Sequence, residues 1–150
     1  MTEVFFYHLQ RQSLEAVLPT LLSRSRERGW RVLVKLATAE RLASLDDHLW
    51  AFSDESFIPH GTDREPDPVE QPILLTLRDE NPNGAPMLFV AENAGLPDAL
   101  DGFERVALML DGADEEAVAS ARLAWRRLRD EGHAVTYWQE DDEGRWRKRA

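Results

Sequence analysis

Apolar positions along the chain fall into two rhythms, and the two alternate. Val4–His8 is a short apolar and aromatic run, which predicts a buried first strand. After it Leu14, Val17, Leu18, Leu21 and Leu22 recur at helical spacing on one face, with Ser13 placed to cap the first turn. Pro19 sits inside that pattern and predicts a kink or a restart there. Arg24, Arg26 and Arg28 suit the C-terminal end of the helix, and Gly29 stops it. Arg31–Lys35 reads as a second strand, and Thr38 caps a further helix whose inner stripe is Leu42, Leu45 and Leu49.

Residues 53–72 lose periodicity and collect Pro59, Pro66, Pro68 and Pro72 among charges, which predicts a long surface loop. Ile73–Leu77 and Met87–Val90 read as strands joined by the turn-rich DENPNGAP segment. Val106–Leu110 is another apolar run. The acidic DGADEE stretch then opens a helix over Glu115–Glu131, with carboxylates where the macrodipole favours them, and Val135–Gln139 reads as the next strand.

Strand and helix in alternation predict an α/β fold: a three-layer domain with a mostly parallel sheet covered by helices, Rossmann-like in topology. A single domain is expected over residues 1–140, followed by a charged C-terminal tail over 141–150. The segment EGRWRKRA reads as a disordered solvating tail or as a partner contact, and because it is nearly all charge beyond Trp146, disorder is the expectation there.

An α/β alternation invites a nucleotide-binding reading, and the residues oppose it. The loop after the first strand is LQRQS, without the glycines that bare backbone amides to a phosphate; neither GxGxxG nor GxxxxGK[ST] occurs. No GxSxG elbow exists for a serine nucleophile. His8, His48, His60 and His133 form no i, i+4 pair, and Asp46, Asp47 and His48 lie too close together for a metal-ligand set. The Asp141–Asp142 pair reads as solvated charge. No catalytic residue, metal or cofactor is expected.

Composition narrows the setting. The 150 residues include five Trp, six Phe and two Tyr, with an apolar fraction of 43%, enough for one hydrophobic core. There is no Cys, and MTEVFFYHLQ lacks a signal-peptide pattern; no run approaches ~18 apolar residues. A cytoplasmic protein with no membrane association is expected. The net charge is −10, from 28 acidic against 18 basic residues, so the surface as a whole repels phosphate backbones. The cations cluster, however: Arg122, Arg126, Arg127 and Arg129 in the last helix, and Arg145, Arg147, Lys148 and Arg149 in the tail. A local basic face on an acidic protein suits an acidic peptide better than a long nucleic acid.

The last helix carries two parallel stripes. Ala117, Ala121, Ala124 and Leu128 form a narrow one that can lie close on the sheet. One position on, Val118, Arg122, Trp125 and Arg129 form a second that borders the core. Arg122 stands three residues before Trp125, so the two side chains can meet. A guanidinium binds a carboxylate bidentately and an aromatic wall takes an apolar side chain, which together suit a peptide with an aromatic C-terminal residue. The same pair also fits a surface stacking contact, Trp50 a helix end tucked against the sheet, and Phe57 a loop anchor.

The ordered set of segments VFFYHL, RGWRVLVKL, RLASLDDHLWAFSDESFIPHG, QPILLTL and DGADEE…AWRRLRDEGHAVTYWQ resembles the chi subunit of bacterial DNA polymerase III over nearly the whole chain. The resemblance implies a non-catalytic clamp-loader accessory protein of DNA replication that binds the acidic C-terminal tail of single-stranded DNA-binding protein, a tail ending in Phe after Pro. Carried over by position, it implies a peptide pocket of Trp50, Phe57, Arg122 and Trp125, with Arg122 on the terminal carboxylate and the aromatics around the terminal Phe. Helical spacing adds Arg126 and Arg129 as an electrostatic rim. Val118 and Asp111 depart from relatives that place a cationic and an apolar residue there. The resemblance implies a second partner, the psi subunit or another clamp-loader component, and DNA would be met only indirectly. The competing reading is a small α/β enzyme or nucleotide-binding protein whose site carries no recognisable motif.

Overall fold

Side-chain alternation in the first strand decides how the sheet is clad. In β1 (Glu3–Leu9), Val4 and Phe6 enter one core while Phe5, Tyr7 and Leu9 face the other. The computed structural model describes residues 2–51, 59–64 and 66–149. Its elements continue with α1 (Leu14–Glu27), β2 (Val32–Lys35), α2 (Ala39–Ala51), β3 (Gly61–Thr62), β4 (Ile73–Thr76), β5 (Met87–Val90), β6 (Arg105–Asp111), α3 (Glu115–Asp130), β7 (Ala134–Glu140) and β8 (Trp146–Lys148).

These strands make one sheet in the order β3-β4-β2-β5-β6-β1-β7-β8. Every pairing is parallel except that of β7 with β8. The topology places the helices. From β1 the chain travels through α1 past β6 and β5 to β2, whereas from β6 it travels through α3 past β1 to β7, in the opposite direction. Right-handed crossovers running opposite ways lie on opposite faces of a sheet. Accordingly α1 and α2 bury Leu14, Leu18, Leu22, Leu42, Leu45 and Leu49 against Val32, Val34, Ile73, Leu75 and Phe89. On the other face α3 buries Ala121 and Leu128 with Val4, Phe6, Val106, Leu110 and Tyr137. Full burial of each such Leu contributes about 1.5–3 kcal/mol.

Three expectations are modified. Pro19 does not restart the helix: α1 runs through it from Leu14 to Glu27. Proline has no N–H to offer the Glu15 carbonyl one turn back, and His48 Nε2 from α2 lies 2.9 Å from that oxygen and takes the donor's place. Within the expected loop of residues 53–72, the described part holds the short strand β3 and a 3₁₀ turn at Pro68–Glu70.

The tail is ordered where disorder was expected. Asp141 Oδ1 accepts the backbone N–H groups of Glu143 and Arg145, both at 2.9 Å, and Gly144 takes the left-handed conformation (φ +79°) that the reversal requires. The chain then pairs back on β7 as β8, and Trp146 packs edge-on against Tyr7 with ring centroids 5.3 Å apart. One aromatic anchor and a strand edge outweigh the charge of the segment.

Candidate functional site

The helix α3 is fixed at its start by Asp114, whose Oδ1 accepts from Glu116 N at 3.1 Å and Ala117 N at 3.2 Å. With Ala121 and Leu128 turned into the sheet, the neighbouring stripe emerges along one flank. Arg122 and Trp125 project there over the ends of β1 and β7, and the space between is a cavity of about 320 Å³. Its lining is His8 from β1, Arg122, Trp125 and Arg126 from α3, Tyr137 and Gln139 from β7, and Arg149 beyond β8. Three of the seven are arginines and none is a carboxylate, in a chain of net charge −10.

The floor is polar but uncharged. His8 Nδ1 and the Tyr137 hydroxyl form a buried hydrogen bond of 2.8 Å, and the Tyr137 ring stacks on Phe6 with centroids 5.7 Å apart. Burial, and then the nearby Arg122 guanidinium, pushes the His8 pKa below its ordinary value. Burial likewise raises Tyr137, against the opposing pull of Arg122. Both floor groups are therefore neutral at pH 7, and the positive charge of the site belongs to the arginines. Arg129 lies at the rim with its Cζ 4.6 Å above the Trp125 ring, a cation–π contact that stiffens the indole wall. The Trp125 indole nitrogen is buried with no hydrogen-bond partner among the described residues.

This arrangement holds two kinds of group at once. Guanidinium forks bind a carboxylate, and the faces of Trp125 and Tyr137 contact an apolar or aromatic side chain. The cavity lies at the small end of the ~300–1,000 Å³ range of ligand sites.

Of the residues expected to form one pocket, Arg122 and Trp125 line the same cavity, with Arg126 also in the lining and Arg129 over the Trp125 ring. Trp50 does not join them. It ends α2 on the opposite face, 53% exposed, its ring 4.4 Å from that of His60, whose Nε2 bonds Asp46 Oδ1 at 2.8 Å. The neighbouring strand β3 is separated from β7 by β4, β2, β5, β6 and β1, which amounts to about 29 Å at roughly 4.8 Å per strand. Phe57 lies outside the described residues. The sequence reading missed His8, Tyr137, Gln139 and Arg149. Parity was the available signal for the first three: Phe6 pairs with Tyr137 and His8 with Gln139 across adjacent strands.

The alternative phosphate site is occupied by the protein itself. At the turn from β1 into α1, where doubly wound folds bind phosphate, the Glu140 carboxylate fills the nest. Its Oε1 accepts from the N–H groups of Gln10 at 2.9 Å, Arg11 at 2.6 Å and Gln12 at 3.1 Å, and its Oε2 accepts from Gln12 Nε2 at 2.7 Å. Burial opposes the charge, yet these four donors outweigh it and hold the Glu140 pKa below the usual carboxylate value.

Among the described residues no group of three or more His, Asp or Glu side chains is placed to hold a metal ion. No helix there is long and apolar enough to cross a membrane.

Comparison with known proteins assigns the scaffold. The family model described as DNA polymerase III chi subunit, HolC, matches residues 1–136. The DNA polymerase III subunit chi of Pseudomonas aeruginosa is 31% identical over 140 residues, covering 90% of this chain and 94% of that protein. A Rickettsia prowazekii protein named "Probable DNA polymerase III subunit chi" is 24% identical over 117 residues, covering 74% of this chain and 71% of the relative.

Proposed function

The chain belongs to the family of the DNA polymerase III chi subunit, an accessory component of that polymerase, and from this premise we propose that it is a non-catalytic tether of the replisome. Its ligand in this reading is the acidic C-terminal tail of single-stranded DNA-binding protein. The terminal carboxylate lies on Arg122, within reach of Arg126 and Arg149, and the terminal Phe packs on Trp125 and Tyr137. Arg129 attracts the acidic residues upstream. The supporting observation is the cavity of about 320 Å³ with three arginines, aromatic walls and no carboxylate on an otherwise acidic protein.

A tether needs a second surface that the first ligand leaves open. The half-exposed Trp50 stands across the sheet from the arginine cavity, so that face is proposed to meet the psi subunit or another clamp-loader component. The protein acts in the cytoplasm and meets DNA only through its partners.

The tail reading is tested by mapping backbone amide shifts with a synthetic tail peptide in two forms, one with a free C-terminal carboxylate and one capped as an amide. Saturable shifts around Arg122, Trp125 and Arg149 with the free acid, weakened at least about tenfold with the amide, are expected. Equal affinity for the two forms, or shifts elsewhere, would remove the carboxylate grip.

A further inference from the structure

A second cleft of about 330 Å³ lies on the other flank of α3, where the carboxyl ends of β5 and β6 leave the sheet. In open α/β sheets, this end of the strands is where ligands are received. The cleft has an apolar floor of Leu96, Leu108 and Leu110, and Leu96 and Leu108 are only half-buried. Its helical wall is cut back because Ala117, Ser120 and Ala124 are small. Leu123, three residues after Ser120 on the outer edge, is 66% exposed and extends the apolar surface onto the helix.

The rim has the opposite sign to the first site. Glu92, Asp111, Asp114 and Glu116 border the cleft, and none of them is ion-paired among the described residues. Asp111 and Asp114 accept backbone N–H groups at the start of α3. Among the described residues Glu92 has no such bond, and it lines the cleft half-buried. Past Glu92 and Asp111 the trough continues into a space of about 280 Å³ toward α1, bordered by Glu15 and by Arg41, which pairs with Glu15 at 2.9 Å. Burial, with Asp111 and Glu15 adding like charge against the pull of Arg41, raises the Glu92 pKa. A cation at this point would relieve that cost.

We infer that this trough docks a basic amphipathic segment of a partner protein, with aliphatic side chains and the stems of Lys or Arg on Leu96, Leu108 and Leu110 and their charged heads on Glu92, Asp111 and Glu116. Long cationic side chains suit such a site because their methylenes cover apolar surface while the head reaches the rim. Helix α3 then separates two docking sites of opposite charge preference, one for an acidic chain end and one for a basic segment. Two partners engaged at once on its two flanks would be held side by side.

The test uses the full chain labelled with ¹⁵N and a short synthetic peptide of leucine, lysine and arginine. The control peptide has equal charge with glycine replacing leucine. Saturable shifts at Asn93, Leu96 and Ala113–Ala124 are expected with the leucine peptide, at least about tenfold tighter than with the glycine control. The double change Glu92→Gln, Asp111→Asn is expected to weaken the leucine peptide by a similar factor, and so is Ala117→Leu, which fills the cleft without altering charge. The double change keeps an oxygen acceptor for Ala113, so it tests the rim should Ala117→Leu fail to fold. Affinity for the acidic tail peptide should be unmoved. Equal binding of the two basic peptides, shifts spread over the whole acidic surface, saturation by spermine alone at the same residues, or wild-type affinity in the double variant would overturn the inference.

Discussion

The backbone N–H of Arg149 donates to the carbonyl of Tyr137 at 2.8 Å, and this bond brings the end of the described chain to the cavity that Arg122 lines. The third guanidinium of the site is therefore supplied by the β8 hairpin, and its position depends on Trp146, anchored on Tyr7. Arg149→Ala should weaken the tail peptide by roughly three- to tenfold while leaving stability within about 0.5 kcal/mol, as expected for an exposed side chain. Trp146→Ala should cost about 1–2 kcal/mol in urea unfolding, less than the ~3–5 typical of a fully buried Trp, and should weaken the peptide as well. Wild-type affinity in both variants would show that the hairpin is no part of the site.

Helix α2, which carries Trp50, packs on one face of the sheet through Leu42, Leu45 and Leu49, and Trp125 lies on the other. Trp50→Ala should thus leave calorimetric affinity for the tail peptide unchanged within about twofold, a difference of roughly 0.4 kcal/mol. Attachment to a clamp-loader component, measured by co-migration on gel filtration, is where this substitution should act. A tenfold loss of tail binding would reinstate Trp50 in the peptide pocket.

Glu140 contributes to acid stability. Its pKa in the folded protein is depressed by four donors, so its contribution is complete above the unfolded value of about 4.3 and is lost as pH falls through the lower folded value. Glu140→Gln should cost about 1.5–3 kcal/mol at pH 7, the scale of hydrogen bonds to a charged acceptor, or roughly 4–8 °C in Tm for ~2 kcal/mol in a chain of this length. The deficit should shrink in urea titrations as pH drops below about 4. A deficit that does not vary with pH would show that the loss is one of packing.

His8 acts in a different window with the same sign. Burial and Arg122 depress its pKa in the folded state, so the unfolded chain binds the proton first and stability falls as pH drops below the unfolded value of about 6.5. His8→Gln should flatten the stability profile between about pH 6.5 and 5, measured by unfolding at each pH. A slope equal to wild type would place the titration elsewhere.

Much of the fold was legible because local rules wrote it. The Leu14–Leu22 and Leu42–Leu49 stripes, the acidic opening at Asp114 and the apolar runs at Ile73 and Val106 each reflect one period and one cap. The assembly of the site was not legible, since it depends on strand order. Nothing in the residues around Trp50 says that α2 and α3 cross the sheet in opposite senses and so end on opposite faces. Arg122 and Trp125 could be paired from i, i+3 spacing within one helix. His8 and Tyr137 come from strands separated by most of the chain, and only the β1–β7 register brings them together. Charge misled at the tail, where Asp141 and Gly144 make a turn and Trp146 supplies the anchor.

Calorimetric titration of the tail peptide of single-stranded DNA-binding protein into wild type and Arg122→Ala at low and moderate salt addresses the central claim directly. The account predicts binding that weakens as salt rises, because charge pairing supplies part of the affinity. It also predicts at least a tenfold loss in Arg122→Ala, about 1.4 kcal/mol, with Arg122→Lys failing to restore the bidentate grip. Absence of binding to the wild-type protein at low salt, or binding indifferent to Arg122, would contradict it.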